Sequence, residues 1–449
     1  MKRYDSYKDS GVDWIGEVPS HWEVLSLLYT LRGKIIDGPH ETPNYVEEGI
    51  PFISIDSIND TKDIDLSVVK KYISELDYKV YSKKTKIDFG DVLFTKAATI
   101  GKTAIVGNEK FMVWSPLAIL KANKEILNNQ FLYYLLNIER AITAVILSGS
   151  FSTQINVGMR EMEKLKIMLP SLREQESIVF YLDSKCGEID KVISTQEKRV
   201  ALLQELKQSI ITNAVTKGLN PDVKMKDSGI EWIGEVPEHW VIMRVKDLLR
   251  LLTDYDANGS FADIAKNCNI NNGNPYAWMV RATDLENNRI GIVDGNNYCD
   301  KKTYEYLSKS SLSENDILLA KRGDIGKSYL VPFCNDPMTL APNTYLLLTD
   351  KKKVNNKCLF YYFQSYVGAE ILRLLNKSTT LGALYKDDVK SINVPIAPLL
   401  EQQEIASYLD KRCAQIDASI SKAKKEIELL QEYKQSLITE VVTGKRKVC

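Results

Sequence analysis

The chain has 449 residues, 44% of them hydrophobic and 26% charged, so its length predicts two or more domains, each large enough for a core of its own. Its 59 basic and 59 acidic residues cancel, which argues against a protein that holds nucleic acid by bulk positive charge alone. Seven scattered cysteines and three histidines argue against a disulfide framework or a zinc site, and no apolar run approaches the roughly 18 residues that span a bilayer, so we expect a cytoplasmic protein.

A fifteen-residue phrase near the start of the chain occurs again in its middle. Residues 8–22 read KDSGVDWIGEVPSHW and residues 226–240 read KDSGIEWIGEVPEHW, with twelve of the fifteen positions identical. A second phrase, Tyr-Leu-Asp followed by Cys and Ile-Asp, begins at Tyr181 and returns 227 positions later at Tyr408. The chain is therefore predicted to contain two copies of one unit of roughly 220 residues.

A body of mixed composition follows each opening phrase, at residues 23–165 and 241–390. Short β-rich runs predict strands at 52–55, 89–94, 278–280 and 315–319, and two segments predict helices at 129–138 and 357–366. The two bodies share this plan, yet GPHETPNYVEEG at 38–49 has no counterpart in TDYDANGSFADIAKN at 253–267. A kept scaffold with divergent loops is typical of paired recognition domains.

Two loops after equivalent strands, TKAATIGK at 95–102 and AKRGDIGK at 320–327, end like a phosphate-binding P-loop. The first glycine of that motif would fall at Lys96 and Lys321, where lysine cannot replace a glycine whose backbone wraps a phosphate. ATP binding is therefore not expected. Without a histidine cluster or an acid–base pair in a recognisable setting, we expect no catalytic residues and no metal site in this chain.

The same two loops, called the GK loops below, combine glycine, hydrogen-bonding side chains and cations. That combination suits contact with a phosphate backbone and a base edge, although an ordinary solvated turn is the alternative. A second polar loop, at 148–154 with its counterpart at 377–381, also carries groups that can bond base edges. The candidate DNA-binding residues are Lys96, Thr99, Lys102, Ser150, Thr153, Gln154, Asn156, Arg281, Lys321, Arg322, Lys327, Thr379, Thr380, Tyr385 and Lys386.

Each copy ends in a segment that predicts a long helix. Ser171 and Glu174 have the spacing of a capping box, and Pro398 suits the first turn of the second helix. Apolar residues then recur at alternating spacings of four and three, which predicts a heptad seam in each helix. The helix-pairing candidates are Leu182, Ile189, Ile193, Val200, Leu203, Ile210, Leu409, Ile416, Ile420, Ile427, Leu430 and Leu437.

The two seams are predicted to pack on each other as an antiparallel pair, a rod of roughly 60 Å. The alternative is two amphipathic helices packed separately, each on its own globular core. Lys207 and Lys434 interrupt the seams, and their ammonium groups are expected to reach out of the seam, close to the negative helix terminus. Cys186 and Cys413 are expected to be small buried hydrophobes.

The chain resembles the specificity (S) subunit of Type I restriction–modification systems over essentially its whole length. The resemblance rests on SGVDWIGEVPSHW and SGIEWIGEVPEHW, on GDVLFTKAATIGK and NDILLAKRGDIGK, and on PSLREQESIVFYLD and PLLEQQEIASYLD. It implies an α+β chain with two tandem mixed α/β target-recognition domains, at 1–168 and 218–395. Two long helices, at 169–217 and 396–446, would separate them and form an antiparallel coiled coil, which makes the chain a pseudo-two-fold internal repeat.

The resemblance also implies a non-catalytic subunit that reads a bipartite, asymmetric target in double-stranded DNA. S-adenosylmethionine, ATP and Mg²⁺ would be held by partners, namely two methylation (M) subunits docked on the helices and the restriction (R) subunits, with no membrane involved. One alternative is the specificity portion of a single-chain enzyme, but 449 residues leave no space for its catalytic domains. Another is a non-DNA coiled-coil scaffold with two ligand-binding bodies.

Overall fold

The computed structural model describes residues 2–59, 61–147, 156–323, 325–376 and 382–448. The chain forms two compact units. The first comprises Met1–Glu197 together with Lys425–Cys449, and the second comprises Lys198–Lys424. The first unit is therefore made from both ends of the chain, whereas the second is continuous in sequence.

The described part of the first unit contains two small sheets and two four-stranded sheets. Its two-stranded sheets pair Tyr7–Asp9 with Glu17–Pro19 and Glu23–Ser26 with Lys166–Leu169. Its core sheet has the spatial order Ile36–Asp37, Leu117–Leu120, Val92–Thr95, Thr103–Ile105, and its outer sheet has the order Met112–Val113, Ile50–Ile53, Tyr72–Ile73, Tyr45–Val46. Its short helices are Leu27–Thr30, Ile55–Ser57, Glu75–Tyr81, Asn129–Leu136, Glu139–Leu147 and Met159–Lys164.

The described part of the second unit repeats this arrangement. Its two-stranded sheets pair Met225–Asp227 with Glu235–Pro237 and Val241–Arg244 with Asn393–Ile396. Its core sheet has the order Leu249–Asp254, Thr344–Thr349, Ile317–Ala320, Ser328–Leu330, and its outer sheet has the order Tyr298–Cys299, Ala277–Val280, Met338–Leu340, Ser311–Leu312. Its short helices are Val245–Leu248, Tyr255–Asn258, Phe261–Asn267, Ala282–Glu286, Lys301–Tyr306, Ser308–Ser310, Asn356–Gln364, Tyr366–Leu374 and Lys386–Ser391. The duplication seen in the sequence is thus a duplication of topology in the core sheet and the two-stranded sheets, whereas the strand orders of the outer sheets differ.

The predicted strands and helices are present with shifted boundaries: 52–55 is observed as Ile50–Ile53, 315–319 as Ile317–Ala320 and 129–138 as Asn129–Leu136. Two further shifts have clear reasons. The strand predicted from residue 89 begins only at Val92, because Gly90 has a φ of +84° and still belongs to the preceding turn. The helix predicted at 357–366 ends at Gln364, because the Oγ of Ser365 accepts a 3.1 Å hydrogen bond from the N–H of Gly368 and caps a new helix.

The opening phrases anchor the starts of the two long helices, Leu172–Lys217 and Leu399–Val442. In the first unit, His21 Nε2 and Trp22 Nε1 donate to Glu174 Oε1 at 2.8 and 3.3 Å. In the second, His239 donates to Glu401 at 2.8 Å and Trp240 donates to it at 3.1 Å. The repeated His-Trp pair therefore has a structural task, which is to fix the first turn of a long helix.

The capping prediction holds for the first long helix and is wrong by one position for the second. Ser171 and Glu174 form the reciprocal capping box, at 3.3 and 3.4 Å. Pro398 does not lie in the first turn. Its carbonyl accepts from the N–H of Gln402 at 2.9 Å, as the carbonyl of Ser171 does from Gln175, so proline occupies the N-cap position itself.

A buried glutamine follows each cap and joins the helix to the body of the same unit. Gln175 is fully buried; its Oε1 accepts from the N–H of Asn128 at 2.8 Å, and its Nε2 donates to the carbonyls of Ile126 and Pro170 at 2.8 and 2.9 Å. Gln402 repeats these three bonds in the second unit with Asn355, Lys353 and Ala397. Because every partner is a backbone group, the joint does not depend on the side chains of the body.

The two long helices pack antiparallel within the first unit. Lys434 Nζ bonds both carboxylate oxygens of Asp190, at 2.7 and 2.8 Å, and Gln196 Nε2 donates to Glu426 at 3.1 Å. The residue number rises along one helix as it falls along the other, which defines the antiparallel register. The shared cluster of apolar side chains includes Leu182, Cys186, Ile189, Leu437, Ile438 and Val441.

The second unit contains the matching pair of helix segments. Lys207 Nζ lies 2.7 Å from both carboxylate oxygens of Asp417. Its apolar cluster includes Ile211, Ala214, Val215, Leu409 and Cys413. Antiparallel helix pairing is thereby confirmed, and the alternative of two separately packed helices is wrong.

The seam residues behave as their spacing indicates, with one correction. All twelve helix-pairing candidates are buried or half-buried, and burial raises the pKa of the Cys186 thiol to about 11. The ammonium groups of Lys207 and Lys434 bond aspartates on the facing helix rather than lying near the helix terminus. Because these pairs are partly exposed, each contributes at most about 1 kcal/mol, so the apolar seam supplies most of the pairing energy.

No helix within the described ranges is long and apolar enough to cross a bilayer.

Candidate nucleic-acid interface

Three segments meet at one end of the core sheet in the first unit. The strand Ile36–Asp37 leads into the divergent segment 38–49, and Val92–Thr95 leads into the GK loop. Both strands flank Leu117–Leu120, where Asp37 pairs with Ala118 and Thr95 with Leu117, so the two segments emerge side by side. Ala97 of the GK loop then forms an isolated bridge with Asn156, which brings in a third segment.

The second unit brings together the same three segments. The strand ending at Asp254 leads into the divergent segment, and the strand ending at Ala320 leads into the GK loop. Arg322 of that loop forms an isolated bridge with Ala383. We refer to these two surfaces as the first and second sheet-end surfaces. Their match shows that the GK loops and the divergent segments, predicted separately, form one surface in each unit.

The lysines at the start of the two GK loops are paired with carboxylates inside the fold. Lys96 is only 7% exposed, and its Nζ lies 2.9 Å from Asp37 Oδ2. Lys321 Nζ lies 2.8 Å from Asp254 Oδ2 and 2.6 Å from Asp256 Oδ2. The equivalent lysine therefore makes an equivalent ion pair in each unit, and its charge is already balanced before any nucleic acid approaches.

Asp254 is the centre of the charge network in the second unit. Its Oδ1 accepts from Lys386 Nζ at 2.9 Å, while Oδ2 is held by Lys321. Burial acts to raise the pKa of Asp254, but the bonds from the two lysines outweigh it and lower the pKa below its usual range. The carboxylate thus stays ionised at neutral pH and keeps both ammonium groups in place.

Each GK loop uses two residues with left-handed backbone. Gly101 and Gly326 have φ of +99° and +98°, and at the tips Ala98 and Gly323 have φ of +58° and +82°. The tip position suits glycine, and the first unit holds an alanine there at a cost of about 1 kcal/mol. The loop of the first unit is closed by a 2.9 Å bond from the N–H of Lys102 to Thr95 Oγ1.

The remaining candidates divide into three groups. Thr99, Asn156, Arg322 and Tyr385 are exposed on the sheet-end surfaces. Arg281 and Lys327 instead bind the short helix Ala282–Glu286. Arg281 Nη2 donates to Asp284 at 2.7 Å, and Lys327 Nζ to Glu286 at 2.8 Å. Ser150, Thr153, Gln154, Thr379 and Thr380 lie outside the described residues.

Several residues of these surfaces are not among those predicted from the sequence. Asp37 and Asp254 hold the GK-loop lysines, and a possible signal was an aspartate at the end of the first core-sheet strand in both copies. Asp256 is 66% exposed at its side chain, and Phe261 is 90% exposed at the start of the helix Phe261–Asn267. Both lie in the divergent segment of the second unit, where comparison of the copies gives no guide to individual residues.

Known proteins share both the sequence pattern and the fold. A specificity subunit of a putative type I restriction enzyme, MjaX of Methanocaldococcus jannaschii, is 27% identical over 97% of this chain and 96% of its own length. The MjaVIII specificity subunit of the same organism is 23% identical over 96% of this chain and 94% of its own.

A solved structure described as "Structural basis underlying complex assembly and conformational transition of the type I R-M system" contains a chain with the same fold. It has a TM-score of 0.68 and 16% identity, and it covers 95% of this chain and 98% of its own length. A family described as "Type I restriction modification DNA specificity domain" matches residues 33–200 and 237–429, one stretch in each copy. The chain belongs to this family of type I restriction–modification specificity subunits, with two tandem target-recognition domains.

Proposed function

We propose that each unit reads one half of a bipartite, asymmetric DNA target on behalf of a type I restriction–modification complex. The observation that carries this proposal is the pair of sheet-end surfaces, which have the same framework and different exposed residues. The first presents Ala98, Thr99 and Asn156, and the second presents Arg322 and Tyr385. Readers that present unlike side chains on equivalent surfaces require unlike half-sites.

The chemistry of modification and cleavage belongs, in this proposal, to partner subunits. S-adenosylmethionine would be bound by M subunits that methylate adenine, and ATP with Mg²⁺ by R subunits, all in the cytoplasm. The GK loops favour this division, because Lys96 and Lys321 stand where a P-loop has glycine and are paired with Asp37 and Asp254. A loop closed in this way offers no backbone cradle for a triphosphate.

Each unit also carries an exposed apolar pair on its long-helix segments. In the second unit Leu202 and Leu206 are 64% and 46% exposed, and in the first unit Leu429 and Tyr433 are 52% and 51% exposed. The two pairs lie 227 residues apart in the sequence, and the two residues of each pair are one helical turn apart. Neither pair belongs to the seam. Two equivalent apolar sites favour two copies of one partner, and we assign them to two M subunits.

Charged substitutions in these pairs are expected to remove M subunits one at a time. Leu202→Glu with Leu206→Glu should leave one M subunit per chain, because an apolar contact is replaced by two desolvated charges. Leu429→Glu with Tyr433→Glu should likewise leave one, and the fourfold variant none. Native mass spectrometry of the co-expressed subunits measures the ratio. Val192→Glu is the control, since Val192 is 43% exposed and its counterpart is Ser419; retention of two M subunits by the fourfold variant would disprove the assignment.

Salt-dependent binding to DNA tests the proposed function as a whole. The chain reconstituted with M subunits should bind its target with log K falling linearly against log salt concentration, by roughly 0.9 for each phosphate neutralised. The recognised sequence can be found by mapping methylated adenines in a strain that carries the complex. Absence of binding to any duplex in a randomised library would favour the coiled-coil scaffold instead.

A further inference from the structure

Most of the described charged side chains on the second sheet-end surface are paired with one another. Lys321 and Lys386 both bond Asp254, and Lys321 also bonds Asp256, so two cations are balanced by two carboxylates. Arg322 is the next residue after Lys321 and is exposed. Within the described residues no carboxylate holds its guanidinium. Arg322 is therefore the cation of the described part of this surface that is left to contact nucleic acid.

Hydrogen bonds hold the backbone at Arg322 in place, while its side chain is exposed. The bridge with Ala383 holds its main chain, and next to it the N–H of Leu384 donates to the carbonyl of Lys321 at 3.0 Å. Gly323, at the tip, has no atom within 4 Å of the place where a side chain would begin. An arginine on a fixed backbone beside an open tip is arranged to enter a groove with little loss of conformational freedom.

The difference between the two GK loops at the position of Arg322 favours a base edge over a phosphate. Arg322 occupies the position that Ala97 holds in the first GK loop, whereas the lysine before it is the same in both loops. Contacts with phosphate carry no sequence information, so a side chain that differs between two otherwise equivalent loops is better suited to a base edge. In the major groove an arginine can donate to guanine O6 and N7 as a bidentate pair.

We propose that Arg322 reads a guanine through the major groove in the half-site of the second unit. This inference rests on the proposed function and adds a base and a residue to it. The first unit lacks the contact, because the equivalent of Arg322 is Ala97, which has no donor. The two half-sites should therefore differ at the base pair that faces the GK loop.

The test measures binding of the reconstituted S–M complex to its target and to every single-base-pair variant of it. Arg322→Ala is expected to reduce discrimination at one G·C pair of the second half-site by about tenfold to a hundredfold, with the other positions unchanged. Arg322→Lys keeps the charge but not the bidentate fork, so we expect it to lose most of that discrimination while keeping the salt dependence. Arg250→Ala is the matched control, because Arg250 is an exposed arginine four residues before Asp254, towards the opposite end of the same strand.

Two results would overturn the inference. Uniform weakening across all sequences, with a salt slope smaller by about one, would show that Arg322 contacts a phosphate. An unchanged discrimination profile would show that it contacts no base. Failure of the unsubstituted complex to bind any duplex would instead refute the proposed function, so the two failures are distinguishable.

Discussion

Exchanging residues 23–165 for the equivalent body of a related specificity subunit is expected to change one half of the DNA target and leave the other half as it was. The apolar clusters support this result, because Trp22 and Phe131 pack within the first unit and Trp240 and Tyr362 within the second. Gln175 of the first long helix bonds backbone groups of the body, so these bonds can also form with a foreign body. Mapping methylated adenines in cells that carry the hybrid measures both halves at once.

The reciprocal exchange provides the control. Replacing residues 241–390 should change the other half of the target and preserve the first. Each hybrid should also keep the number of base pairs between the two halves, because the long helices are untouched. If both halves changed together in either hybrid, the two units would not be independent readers.

Trp240→Ala is expected to lower the free energy of unfolding of the second unit by about 3–5 kcal/mol. Trp240 is 1% exposed, and its ring lies 3.4 Å from where a side chain on Gly218 would begin. The substitution leaves a cavity and removes the 3.1 Å bond to Glu401, so the start of the second long helix is weakened as well. Amide hydrogen exchange resolved by peptide measures the effect in each unit separately.

Trp232 offers a matched control within the same repeated phrase. Its side chain is 57% exposed, so Trp232→Ala should change stability by less than about 0.5 kcal/mol. Exchange rates in the first unit should stay the same for both variants. Equal losses for Trp232→Ala and Trp240→Ala would contradict the anchoring role of the His-Trp pair.

Periodicity and repetition made the helices and the duplicated scaffold predictable. Apolar residues at alternating spacings of four and three residues predict a helix with one apolar face, and this pattern occurs twice. Leu182 and Leu409, which belong to the two seams, are buried as the pattern requires. The Ser171–Glu174 cap is equally local. The partners of Lys207 and Lys434 were not predictable in the same way, because Asp417 and Asp190 become neighbours only once the register of the pair is set.

The segments that form the candidate interface could be predicted from the sequence, but the contacts made by their side chains could not. The GK loops and divergent segments were recognised, and the structure brings them together. Lys96 and Lys321 read as cations in the sequence, but the contacts with Asp37 and Asp254 depend on strand pairing across the core sheet. The bonds between Thr95 and Lys102 that close the first GK loop were not predictable from its residue types either.

The discontinuous first unit has a consequence for how the chain acquires its structure during synthesis. Leu437, Ile438 and Val441, which complete the apolar cluster around Trp22, are translated after the whole of the second unit. The ribosome therefore releases residues 198–424 as a foldable segment before the amino-terminal unit can close. Synthesis of the first unit begins before that of the second and is completed after it, and until then its apolar cluster lacks these three side chains.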